Sequence, residues 1–213
     1  KYLGFLFRLS GKTNTHIKAL KSEAVKKLGR VWGMAERLFP GNFKIRMHMY
    51  DSLIASGMMY GSEIYGWKRY DEIESVQRKY VKWTLGVDGR TKNEIIMEEA
   101  NRLPHCANTA KRAMKFEEKS LMGNNEILQD CVKWNRKYHL ERRGFIQGIG
   151  WGQEFEEMMR GQPNWIEDAI KITTDNYYQN IYNKLRGSTY ERLRPIQLPH
   201  YLDKNNPKYK IIA

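Results

Sequence analysis

The sequence predicts a mainly α-helical protein, a helical bundle preceded by one short orphan β-strand or hairpin. Three observations point there. Residues 15–39 carry an apolar repeat at helical spacing. Further segments of the same kind follow, divided by breaks such as Pro40-Gly41-Asn42 and Gly123-Asn124-Asn125. Strand-type alternation occurs at Leu3, Phe5, Phe7 and Leu9, at the start of the chain.

Each element can be justified in turn. Tyr2 to Leu9 reads as a strand with one apolar face, followed by the turn Ser10-Gly11-Lys12. A strand this apolar needs partners, and an isolated hairpin is marginal in water. The expectation is therefore a fragment whose sheet lies upstream, with Phe5 and Phe7 left exposed. The helix over 15–39 follows, with Ile17, Leu20, Ala24, Leu28, Val31, Ala35 and Leu38 on its core face. It spans roughly 36 Å. After the Pro40-Gly41-Asn42 break, a second helix is predicted from Phe43 to Trp67, on Ile45, Met49, Leu53, Tyr60, Ile64 and Trp67. Gly57, Gly61 and Gly66 weaken it or let another backbone come close.

A third helix spans Tyr70 to Leu85 on Ile73, Val76, Tyr80 and Trp83, with Gly86 suited to its C-terminal cap. Thr91 to Glu94 has the form of a capping box, opening a helix that ends near Leu103-Pro104. Helices over Cys106 to Met122 and Glu126 to Arg142 come next. Gly144, Gly148, Gly150 and Gly152 match neither phosphate-loop nor dinucleotide spacing, so 144–152 reads as a linker. A short helix (Gln153 to Arg160), a longer one (Trp165 to Leu185) and an extended tail with Pro195 and Pro199 complete the chain. This divides it into 1–14, a helical body over 15–143, the linker 144–152 and a small helical segment over 153–213.

Composition bounds the function. At 213 residues, 41% hydrophobic and 12% aromatic, the chain can bury a core. The uncharged run Ser52 to Ser62 is too short to cross a bilayer. Two cysteines, Cys106 and Cys131, allow at most one disulfide and cannot by themselves form a Cys-rich zinc site. A reduced, intracellular protein is the expectation. Cys131, in line with Ile127 and Trp134, reads as core, and Trp32, Trp67, Trp83 and Trp134 read as packing residues.

Charge is the most informative feature. The chain has 37 Lys+Arg against 24 Asp+Glu, a net +13. Residues 1–50 hold 11 basic and 2 acidic residues, and the other 163 hold 26 and 22. A basic field so localised points to a polyanionic partner. Lys26, Arg30 and Arg37 fall within about 40° of one another on the helix face opposite the core stripe. That stripe has no bulky Phe or Trp set to enter a bilayer, so nucleic acid is preferred over membrane. His16, His48, His105, His139 and His200 are scattered, and no Asp-Asp pair, P-loop, nucleophile elbow or HExxH occurs. The residues describe a basic-fronted, non-catalytic helical module.

Several stretches taken together resemble a known family. Tyr2-Leu3-Gly4-Phe5, then His16-Ile17 and the long basic helix, is similar to the segment after the catalytic motif of LINE-type (non-LTR) retrotransposon reverse transcriptases. Leu28-Gly29-Arg30-Val31-Trp32-Gly33-Met34, Tyr60 to Trp67, Tyr80 to Thr91, Phe116-Glu117-Glu118, Tyr190-Glu191-Arg192 and Pro199-His200-Tyr201-Leu202 resemble a group of these elements from insect genomes. The resemblance implies that Tyr2, Leu3 and Gly4 are the primer-grip turn. Residues 15 to about 100 become a helical thumb and the start of the connector, clamping a template–primer duplex. Lys26, Arg30 and Arg37, joined by Lys12, Lys18 and Lys21, become contacts to phosphates.

The resemblance also implies an RNA-directed DNA polymerase whose catalytic carboxylates and Mg²⁺ site lie in an upstream palm. No catalytic residue, metal ligand or cofactor is expected in this chain, and no activity in isolation. The family's Cys/His zinc knuckle is not seen before Ala213. The partners implied are an RNA/DNA template–primer and the palm, with no membrane and no small-molecule substrate. The setting implied is a cytoplasmic ribonucleoprotein and the nucleus. The alternative is a free-standing helical module, derived from a mobile element, that binds nucleic acid or another protein.

Overall fold

The computed structural model describes residues 4–9, 13–134, 136–150, 162, 164–188 and 190. Among them the chain is mainly helical and has no strand. They fall into two compact units. One is drawn from Lys1–Thr13, Gly61–Tyr70 and Pro104–Tyr178, the other from Asn14–Tyr60, Asp71–Leu103 and Gln179–Ala213.

The second unit is built on α1 (Asn14–Leu38). Ile17, Ala24, Leu28, Val31 and Ala35 are buried as the periodicity requires. Leu38, predicted to close the stripe, is 65% exposed because it is the last residue of the helix, where the chain turns away at Pro40-Gly41. Asn42 caps α2 (Phe43–Tyr50), its side-chain oxygen accepting from the Ile45 amide at 3.0 Å.

The predicted helix from Phe43 to Trp67 is not one helix. After α2 the chain widens into a π-helical turn over Asp51–Ala55, returns to α3 (Ser56–Met58) and breaks. Gly61 then turns at φ +73° into α4 (Ser62–Tyr65), which belongs to the other unit. Most of the predicted positions do not face the core. Ile45, Leu53, Tyr60 and Ile64 are exposed, Met49 is half-buried and only Trp67 of the six is buried, while Phe43, Met47, Tyr50, Ile54 and Met58 fill the core. Both stripes are apolar, but the buried one carries two rings and two methionines and removes more area from water.

The π turn has an ionic partner, since Arg102 donates both terminal nitrogens to the Asp51 carboxylate. Tyr50 and Tyr80 stack at 5.0 Å within this core, and the Tyr80 hydroxyl donates to the Arg46 carbonyl at 3.0 Å. Burial lifts the Tyr80 phenol to about 12 and Tyr50 well above its usual value, so both are neutral at physiological pH.

Helix α5 (Asp71–Leu85) matches its prediction closely, with Ile73, Val76 and Tyr80 buried and Gly86 at φ +71° behind it. The capping box does not form. Helix α6 (Asn93–Glu99) starts two residues beyond Thr91, with Lys92 at the cap position and no side-chain cap bond, and ends before Leu103.

In the first unit, α7 (His105–Met122) packs its small residues Ala107, Ala110 and Ala113 at 0–1% exposure. Helices α8 (Glu126–Trp134) and α9 (Arg136–Gly148) replace the single helix expected over 126–142. The glycine stretch read as a linker begins inside α9, because Gly144 and Gly148 continue its turns and only Gly150, at φ +82°, ends it. Ile146 and Ile149 join Trp67, Ala113, Met114, Trp165, Ile166 and Ala169 in one core cluster. Cys131 and Ile127 are exposed, while Val132 is buried, so the predicted core assignment of Cys131 fails by one position. Helix α10 (Trp165–Leu185) has the predicted bounds.

Among the described residues of 2–9 the predicted N-terminal strand is not seen. Phe5 makes an isolated bridge and is buried at 5%, against expectation, and residues 6–8 have no regular structure. Phe7 is 58% exposed and Leu9 is fully so. The two phenylalanine rings stack on each other at 4.7 Å. The side chain of Trp134, the segment 153–160 and the tail 195–202 lie outside the described residues.

Candidate nucleic-acid interface

The candidate surface is the solvent face of α1. Its 25 residues hold a continuous helix because the interior positions avoid proline and the buried stripe recurs at every turn. Lys18, Lys26, Arg30 and Arg37 are exposed, and Lys21 is half-buried at the stripe's edge. Lys26, Arg30 and Arg37 therefore share one open face, as the sequence predicts. Lys27, which the sequence reading passed over, is exposed at its flank.

Local partners leave these cations available. Lys26 pairs with Glu23 at 2.8 Å, but both side chains are about two-thirds exposed (67% and 62%), so the pair is screened and worth little. The Arg37 Nε donates to the Gly33 carbonyl at 3.3 Å along the same helix, and the residue is exposed. By contrast Arg46, counted among the basic residues of this region, is spent on structure. Its side chain is 7% exposed, bonds Glu36 at 2.9 Å and the Phe39 carbonyl at 2.9 Å, and stacks over Trp32 at 5.2 Å.

Two glycines interrupt the face. A methyl group built on Gly29 or Gly33 meets nothing within 4 Å, so packing does not require glycine there. Each costs the helix about 1 kcal/mol relative to alanine. Their effect is to leave bare backbone beside the cations, where another chain can approach closely. Beyond the glycines Trp32 leans into the seam with α5, touching Tyr80 at 6.0 Å and Trp83 at 5.5 Å. Trp32, Trp67 and Trp83 thus pack, as expected.

The other predicted site residues fall elsewhere. Gly4 is exposed at φ +88° in the first unit. Tyr2, Leu3 and Lys12 lie outside the described residues. His16 sits near the start of α1 at 2% exposure. Burial holds its imidazole below the usual 6.5, partly offset by a hydrogen bond with the Tyr60 backbone. The unfolded chain then takes up a proton more readily than the folded one as pH falls through 6.5. Stability present above that pH is lost below it. The urea midpoint should drop between about pH 7.5 and pH 5.5, and His16→Gln should remove much of that drop. An unchanged pH dependence in the variant would contradict this origin.

Among the described residues no group of three His, Cys, Asp or Glu side chains could hold a metal ion. No helix among them is long and apolar enough to cross a membrane. Comparison with known protein families, curated proteins and solved structures finds no significant match.

Proposed function

We propose that this chain holds a nucleic-acid duplex on the solvent face of α1, as the non-catalytic thumb and connector part of a LINE-type reverse transcriptase would hold its template–primer. The observation that carries the reading is the exposure of Lys26, Arg30 and Arg37 side by side on one long helix whose opposite face is buried. Cations in this arrangement position a phosphate backbone without reading bases. The polymerase assignment itself rests on the sequence resemblance alone. In that role Mg²⁺ and the catalytic carboxylates belong to the upstream palm, and this chain contributes grip.

A free-standing binding module is favoured by one observation, the burial of Phe5 at 5%. Both readings share the interface and the test. Changing Lys26, Arg30 and Arg37 together to Ala should reduce the slope of log affinity against log salt by about two to three units for a duplex ligand. A slope equal to wild type would make the ridge a solvated face and remove the proposal.

A further inference from the structure

Residues 78–92 contain five basic residues, Arg78, Lys79, Lys82, Arg90 and Lys92, and one acidic residue, Asp88. This excess disappears when charge is averaged over the chain beyond residue 50. We infer that the C-terminal half of α5 and the loop after it form a second row of phosphate contacts, used by the same duplex that lies on α1. The inference rests on the reading of the α1 face as a nucleic-acid surface.

The two rows belong to one unit and are joined through aromatic contacts. Passing round α1 from the Lys26, Arg30 and Arg37 ridge, Gly33 and Gly29 come next, then Glu36, whose carboxylate is held by Arg46 at 2.9 Å, and then Trp32. Trp32 touches Trp83 of α5 at 5.5 Å, and the Lys79 ammonium lies over the Trp83 ring at 4.8 Å. With no side chain on Gly29 or Gly33, nothing from those two positions rises between the rows. The one carboxylate on this side, Glu36, is offset by Arg46, which also lies over the Trp32 ring, so the path from the ridge through Trp32 and Trp83 to Lys79 carries no unpaired negative charge.

The loop is shaped to present charge. Gly86 turns the chain at φ +71°, and the Lys82 ammonium donates to the Gly89 carbonyl at 2.6 Å, closing the loop. Asp88 accepts from the Arg90 amide at 2.8 Å and from its Nε at 3.2 Å, yet the Arg90 side chain is 96% exposed. These bonds engage one edge of the guanidinium and leave its terminal nitrogens in solvent, the geometry suited to phosphate. The plainer role for Lys79 and Lys82, complementing the negative end of α5, leaves Arg90 and Lys92 unexplained.

The test uses the full chain and a short labelled RNA–DNA duplex over a salt series. It compares wild type, Lys79→Gln with Arg90→Gln, and the ridge triple variant. Both α5-side positions are exposed and neither carries a buried bond, so the double variant should fold as wild type, checked by circular dichroism. The expected result is a slope lower by about two units in the double variant, in addition to the loss in the ridge variant. Wild-type binding by the double variant, with a reduced slope in the ridge variant, overturns this inference and leaves the α1 reading standing. A reduced slope in the double variant alone overturns the α1 reading. Absence of salt-dependent binding by wild type overturns both.

Discussion

Replacing Gly66 with alanine is expected to destabilise the first unit strongly. A Cβ on Gly66 would lie 2.3 Å from the Thr109 carbonyl oxygen and 2.4 Å from that of Ser62. Both obstacles are main-chain atoms, so neither can turn aside as a side-chain tip would. Gly66 is where the end of α4 meets α7, and the Thr109 hydroxyl bonds its carbonyl at 3.4 Å. Overpacking typically costs about 1–3 kcal/mol, and with backbone on both sides the upper end applies. For a chain of this size that corresponds to a fall of roughly 6–12 °C in melting temperature. Gly144→Ala is the control, because its Cβ meets nothing within 4 Å inside α9 and should be neutral or stabilising by up to about 1 kcal/mol. Equal melting temperatures for Gly66→Ala and wild type would contradict the close approach of α4 and α7.

The second large effect concerns Glu117 and Arg142. Their side chains are 4% and 12% exposed, and the Arg142 Nε lies 2.9 Å from both carboxylate oxygens. The guanidinium also sits 5.7 Å from the centre of the Trp67 ring, which itself packs on Phe145. Removing one charge strands the other in a poorly solvated place, at a cost of about 3–5 kcal/mol. Replacing both with methionine removes the stranded charge as well as the attraction. Arg142→Met alone should therefore be much less stable than wild type, and Glu117→Met with Arg142→Met should recover most of the loss. A double-mutant cycle in urea measures this. Simple additivity of the two single losses would show that the pair is not coupled as its geometry indicates.

Helix periodicity made much of the fold legible. The bounds of α5, α7 and α10 lie within one residue of those expected, and Gly86 ends α5 where expected. Where two apolar stripes competed, as over 43–58, spacing alone could not choose, and the ring-bearing side prevailed. Thr91 to Glu94 failed as a capping box because Lys82 and Asp88 hold the preceding loop closed, and α6 starts only after it. Gly144 and Gly148 misled as a linker, since their flanking Phe145, Ile146 and Ile149 pack into the first unit's core.

The candidate surface was legible in part for the same reason. Lys26, Arg30 and Arg37 lie on the polar face of a strongly periodic helix, so their exposure followed from the pattern. That Arg46 is withdrawn into an ion pair with Glu36 was not visible, because the contact joins different helices. The basic stretch 78–92 was visible only at a window of about fifteen residues.

The most direct test of the α1 surface is the response of its glycine amides to duplex in an NMR titration of the full chain. Gly29 and Gly33 lie on the bare strip beside the ridge, while Gly144 and Gly148 lie in α9 of the other unit. The surface proposed here predicts that the Gly29 and Gly33 resonances shift saturably with added duplex, with Gly144 and Gly148 unmoved. Unmoved Gly29 and Gly33 signals in the presence of excess bound duplex would place the nucleic acid elsewhere and contradict the account.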